Sequence, residues 1–235
     1  MELNPVLIWD IDGTLLTTNG RGFPCVVRAV EEVLGSSNQL ENYSNTHGTT
    51  DLDVIKNLSK KHSERLTNQK LREILKLYEK YIETEFIRTP PIVLPNVVET
   101  LKLVNKFKFE TAIGTGNSIA GARIKLKTSN LLKFFKDSNF YCSSIEYPQR
   151  IDVFRNAKER IDGNKIGIVI GDTPSDIQSA FSVGFKCIAV ESGVFSYSEL
   201  EYFKPDALLK RNWVPTELLS SIKKIVSTLE ISKEW

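Results

Sequence analysis

Val6-Leu7-Ile8-Trp9-Asp10-Ile11-Asp12-Gly13-Thr14-Leu15-Leu16 carries the densest information in the chain. A short apolar run bounded by glycine reads as a buried parallel strand, and its two carboxylates fall where the strand gives way to a loop. Open α/β sheets hold their ligands at that edge. Asp10 and Asp12 are two residues apart, so an extended backbone sends both side chains to the same side. Neighbouring carboxylates repel, which calls for a shared proton or a cation. A hard ion such as Mg²⁺ suits oxygen ligands and lets Asp10 stay ionised as a nucleophile. Gly13 permits a sharp turn and the close approach of a ligand.

The 235 residues suffice for one large domain or a core domain with a smaller insert. With 31 basic and 29 acidic residues the net charge is +2, and no basic run stands out, so charge makes no case for nucleic acid or a membrane surface. Cys25, Cys142 and Cys187 lack any Cys-x-x-Cys pair, which favours three buried thiols in a reducing compartment over disulfides or zinc. The N-terminus enters a strand almost at once and no apolar run is long enough to span a bilayer, so a cytoplasmic protein is expected.

Further along, Thr17-Thr18-Asn19-Gly20-Arg21-Gly22 is a turn-rich loop close to the acids, and Arg21 is placed to meet a substrate anion. Pro24 opens an amphipathic helix to about Leu34, and a polar linker follows over 36–44. Thr46-His47-Gly48-Thr49-Thr50-Asp51 caps the next helix, and backbone N–H groups around Gly48 and Thr49 at that helix start form a candidate anion site. His47 has no companion ligands, so no metal role is assigned to it. Leu71, Ile74, Leu75, Tyr78, Tyr81, Ile82 and Phe86 recur at three- and four-residue spacing, making one long helix that ends at Thr89-Pro90-Pro91. The organisation expected is an α/β core formed by 1–17 and 91–235, with an all-helical insert over 18–90 whose junctions act as hinges.

A strand over Phe109 to Gly114 leads through Thr115-Gly116-Asn117-Ser118 into a helix, so Thr115, Gly116 and Asn117 are candidates to hold a phosphate group. Lys165 to Ile170 is a β-branched strand followed by Gly171-Asp172-Thr173-Pro174-Ser175-Asp176. Its acids, Asp172 at the strand end and Asp176 just inside a helix, are placed to face one cation, directly or through water.

Taken together, Asp10-x-Asp12-Gly13-Thr14, Thr115-Gly116-Asn117 and Gly171-Asp172-x-x-x-Asp176 resemble the motifs of the haloacid dehalogenase-like hydrolase superfamily. Gly48-Thr49-Thr50-Asp51 is similar to the cap of its phosphoglycolate phosphatase branch, and Gly193 to Leu200 to a loop of its small-molecule phosphatases. The resemblance implies a doubly wound parallel sheet with a helical cap. It implies Asp10 as nucleophile, Asp12 as acid and base, Thr115 as a phosphoryl ligand, and Mg²⁺ held by Asp10, the Asp12 carbonyl and Asp172 with Asp176 in support. Such enzymes also need a cation to neutralise the phosphoryl group, usually a lysine before proline. This chain departs from that pattern. Arg150, immediately before a helix, is the best match, because Lys158 lies on a helix that carries it away and Lys165 opens a strand at its wrong end.

Asp12 argues against dehalogenation, which has no alcohol to protonate. The sugar phosphomutases with this cap carry a histidine where this chain reads Thr18 to Gly22, so a phosphatase for a small phosphorylated metabolite is preferred and a phosphomutase is the alternative. A response-regulator receiver domain is shorter and has no helical insert, and a silent phosphate binder is the remaining non-enzymatic reading. A monomer or homodimer is expected.

Overall fold

The computed structural model describes residues 5–35, 47–62, 64–163 and 165–231. The expected 36–44 linker and Thr46 lie outside these described residues. In chain order the elements are β1 (Val6–Trp9), β2 (Leu16–Thr17), α1 (Gly22–Leu34), α2 (Asp51–Ser59), α3 (Asn68–Arg88), β3 (Ile92–Val93), α4 (Val97–Lys106) and β4 (Glu110–Ser118), followed by α5 (Ile119–Thr128), β5 (Phe140–Ser143), α6 (Arg150–Arg160), β6 (Gly167–Gly171), α7 (Pro174–Ser182), β7 (Lys186–Val190), α8 (Tyr197–Glu201), β8 (Ala207–Leu209) and α9 (Pro215–Ile231).

Six strands form one sheet in the order β5-β4-β1-β6-β7-β8, and every pairing in it is parallel. The period of two sorts its side chains onto two faces. Leu7, Trp9, Ile113, Ile168, Ile170, Ile188 and Val190 point to a layer made by α4, α5 and α9. Val6, Ile8, Ala112, Val169, Cys187 and Ala189 point to α6, α7 and α8. Both faces are therefore covered, which is the doubly wound α/β arrangement, and β1, an interior strand between β4 and β6, has all four of its residues buried. Parallel pairing aligns the strand ends, so whatever follows β1, β4 and β6 emerges on one edge.

α1, α2 and α3 gather around their own apolar centre, with Leu71, Ile74, Tyr78, Ile82 and Phe86 of α3 buried against Val26, Val30, Leu52, Ile55 and Leu58. Leu75 and Tyr81 are only partly buried at the margins of that stripe. Where the chain enters and leaves this helical unit, β2 and β3 pair antiparallel, Leu16 with Val93 and Thr17 with Ile92. Two residues per strand carry too little periodicity to be visible in the sequence.

Two boundaries and the burial of one cysteine differ from expectation. β4 continues past Gly114 to Ser118, because Thr115 and Ser118 keep their pairing with Cys142 and Ser143 across an irregularity in register. β6 starts at Gly167, and Lys165 lies before it, its Nζ 2.6 Å from the Glu110 carboxylate. Cys142 and Cys187 are buried free thiols, but Cys25 is only half-buried, at the margin of the helical centre. Among the described residues no helix is long and apolar enough to cross a membrane.

Candidate active site

Two strand ends and one helix start deliver acids to one point. Asp10 directly follows β1 and Asp172 directly follows β6, while Asp176 lies in the first turn of α7, and one oxygen from each falls within 4.8 Å of the others. All three are buried, Asp176 completely. Arg150, the first residue of α6, reaches in from the side. It lies 2.8 Å from Asp10 Oδ1 and donates through Nε to Asp176 Oδ1 at 2.9 Å, with a second, closer donation to the same oxygen from its terminal nitrogen. Asp176 spends its other oxygen on Thr173, accepting from the hydroxyl at 2.8 Å and the backbone N–H at 3.1 Å in a capping box. Asp176 is thus the anchor of Arg150 and of the α7 start. Asp172 accepts from Thr14 at 2.9 Å.

Three buried carboxylates face one guanidinium, so with all three ionised two negative charges would go uncompensated. Burial pushes Asp10 up to about 6 despite the opposing attraction of Arg150, and repulsion from Asp176 adds to the rise. Burial, then the charges of Asp10 and Asp176, push Asp172 well above the usual carboxylate range. Burial alone disfavours the Arg150 guanidinium, but the two acids more than offset it and raise its pKa. A hard divalent cation fits this donor set, since oxygen ligands of excess negative charge are what it requires. The backbone leaves the room: a Cβ on Gly13, whose φ is +83°, would stand 2.3 Å from Asp172 Oδ2, and one on Gly193 would stand 1.8 Å from the same atom.

Asp12 occupies a different environment. Its Oδ2 accepts from Asn117 Nδ2 at 2.8 Å and from Lys125 Nζ at 2.6 Å. The same Asn117 amide donates to Thr115 Oγ1 at 2.8 Å, and Lys125 also donates to Asn117 Oδ1 at 2.5 Å. Thr115 is fully buried. Lys125 was not singled out by sequence reasoning, although a signal existed. It sits three residues after Ala122 and one before Leu126, on the buried stripe of α5, where a lysine is out of place without a partner.

The helical unit closes over this edge. Gly116 admits the close approach, since a Cβ there would lie 2.6 Å from the Thr49 carbonyl oxygen. Thr50 is the side-chain cap of α2 and also donates to the Pro148 carbonyl at 2.6 Å. Asp51, expected to share the capping, instead accepts from the backbone N–H of Ser118 at 2.8 Å. Burial is the main reason its pKa climbs to about 6, against the pull of Lys125 and of that hydrogen bond. Gly48 and Thr49 line the resulting cavity of about 470 Å³ together with the acids, Thr115, Gly116, Asn117 and Arg150.

Arg21 is not with them. Its Nε donates to the Thr18 carbonyl at 3.0 Å and its terminal nitrogens to the carbonyls of Thr89 and Pro90, with Glu85 beside it. The guanidinium expected to meet a substrate anion is engaged instead by backbone carbonyls. A guanidinium spent on three carbonyls fastens the two crossings between sheet and helical unit.

Residues 7–190 match the family model described as haloacid dehalogenase-like hydrolase. A protein of Caldanaerobacter subterraneus subsp. tengcongensis, provisionally named as the pyrophosphatase PpaX, is 28% identical over 224 residues, covering 95% of this chain and 96% of its own length. Among solved structures, a haloacid dehalogenase hydrolase of family IA from Entamoeba histolytica superposes with a TM-score of 0.68 at 17% identity, over 88% of this chain and 92% of that one. CbbY from Rhodobacter sphaeroides, solved with phosphate, superposes with a TM-score of 0.64 at 14% identity, over 88% and 94%. At such identities the superpositions speak for the fold, and the match of the family model to most of the chain speaks for its descent: the chain belongs to the haloacid dehalogenase-like hydrolases.

Proposed function

We propose that this chain is a Mg²⁺-dependent phosphatase that hydrolyses a small phosphorylated metabolite in the cytoplasm through an aspartyl-phosphate. The observation that carries the reading is the junction of two environments within one cavity. A cluster of Asp10, Asp172 and Arg150, with more carboxylates than cations, stands next to a separately hydrogen-bonded Asp12. Two carboxylates in unlike surroundings are what a nucleophile and an acid–base group need. A relative named as a pyrophosphatase and a neighbour solved with phosphate are in keeping with this chemistry.

Asp10 attacks phosphorus, a new P–O bond forms and the bond to the leaving oxygen breaks. Asp12 gives that oxygen its proton, then takes one from the water that attacks the aspartyl-phosphate. Thr115 and Arg150 hold the phosphoryl oxygens, and the Gly116 and Asn117 backbone frames them. Asp10, the Asp12 carbonyl and Asp172 would hold Mg²⁺, with Asp176 acting through Arg150 and solvent. When bound, the ion supplies charge neutralisation for the carboxylate and the phosphoryl group. Residues 18–90 form the cap, and Gly48 and Thr49 face the leaving group.

Hydrolysis of p-nitrophenyl phosphate tests the reading. Turnover is expected with Mg²⁺ and is lost on chelation. Equal rates with and without the ion would refute metal dependence.

A further inference from the structure

We propose that Lys125 is a positioning residue for Asp12, clamping one carboxylate oxygen so that the other is held for proton transfer. The inference rests on the phosphatase reading and extends it to a residue outside the three motifs.

Lys125 is 5% exposed on α5, and its ammonium reaches Asp12 Oδ2 at 2.6 Å and Asn117 Oδ1 at 2.5 Å. Asn117 Nδ2 donates to the same Asp12 oxygen at 2.8 Å. The three side chains therefore close a ring of hydrogen bonds, with Asn117 both accepting from the lysine and donating to the acid. Both donors land on Oδ2. Among the described residues Oδ1 of Asp12 has no protein donor, and it is the oxygen left for the leaving group. The Asp12 side chain itself is 39% exposed, at the cavity. A carboxylate at a wet loop samples rotamers unless something fixes it, and two charge-assisted or amide donors on one oxygen do so. Burying a lysine stem and head is costly, and a location on a core stripe implies a return elsewhere.

The ring also ties Asp12 to the phosphoryl ligand, because the amide that grips Oδ2 donates to Thr115 Oγ1 at 2.8 Å as well. Proton donor and phosphoryl ligand are thus held to one template. In the step concerned, the P–O bond to the leaving oxygen breaks as that oxygen takes the proton from Asp12 Oδ1. A poor leaving group needs this proton, whereas a good one does not.

The experiment compares kcat/KM for aryl phosphates running from phenyl to 2,4-dinitrophenyl in wild type and Lys125→Met. Because kcat/KM reports events up to phosphoryl transfer, the later role of Asp12 as base does not enter. For phenyl phosphate a fall of about 10²-fold is expected, and for 2,4-dinitrophenyl phosphate a fall below about threefold. In an Asp12→Asn background Lys125→Met should leave the leaving-group dependence unchanged, since the two act as one unit. Equal falls for both esters, or none, would overturn the proposal, because a lysine that contacts phosphate or only supports the fold cannot discriminate leaving groups. The ratio is internal to each folded sample. If Lys125→Met fails to fold, Lys125→Gln is read in the same way. Wild type inactive on every ester would refute the phosphatase reading, while an active wild type with a flat Lys125→Met response refutes only the role of the lysine.

Discussion

The sheet edge and the helical face above it are built on opposite principles. At the edge, every acid is held by a named donor: Asp10 by Arg150, Asp172 by Thr14, Asp176 by Thr173 and Arg150, and Asp12 by Asn117 and Lys125. The helical face offers the cavity small polar groups and the apolar side chains of Phe23, Val26 and Val54. Its polar ties to the core include Asp51 to the Ser118 N–H and Thr50 to the Pro148 carbonyl. Charge is concentrated where bonds to phosphorus would change, and shape where the rest of an ester would lie. In the proposed cap reading this divides chemistry from selection.

Substitutions on the two sides should therefore fail differently. The largest effect is expected from Arg150→Met, which strands buried carboxylates. It should cost about 3–5 kcal/mol in denaturant unfolding and abolish turnover. An unchanged unfolding midpoint would mean that the acids are neutralised some other way. Gly13→Ala comes next, since the added methyl meets Asp172 at a positive φ. Displacing that carboxylate should lower turnover of p-nitrophenyl phosphate about 10²-fold in steady-state kinetics. Full activity would show that Asp172 is not needed where it stands.

On the helical side the effects are smaller. Asp51 takes up a proton more readily in the folded chain, about 6 against an ordinary 3.8. Folding is therefore favoured below pH 4, and this contribution is lost as pH rises from about 4 to about 6, then stays flat. Asp51→Asn keeps a carbonyl acceptor for Ser118 and carries no charge. It should remove about 1–3 kcal/mol of pH-dependent stability over that window, read from urea melts at each pH. Identical pH profiles would place the raised carboxyl elsewhere. Arg21→Gln should be mildest, costing about 1–2 kcal/mol and leaving KM for p-nitrophenyl phosphate within about twofold. A tenfold rise in KM would restore the anion contact that the loop sequence suggests.

The contrast also explains what the sequence disclosed. Strand alternation and the end of an apolar run locate Asp10, Asp12 and Asp172 without tertiary information, because the first two follow β1 and the third follows β6 directly in the chain. Arg150 is legible only through its place between two motifs, and its grip on Asp176 is not. Lys125 is hidden by being one of two lysines on α5, where only the buried stripe sets it apart. Arg21 misleads because its partners, Thr89 and Pro90, lie 68 and 69 residues away, across a two-residue ribbon that leaves no periodic trace.

The central claim is that the Asp10 carboxylate attacks phosphorus. Turnover of p-nitrophenyl phosphate by Asp10→Asn, measured with Mg²⁺ on protein whose melting curve matches wild type, tests it most directly. The account predicts no turnover above background. Full activity in that variant would contradict it.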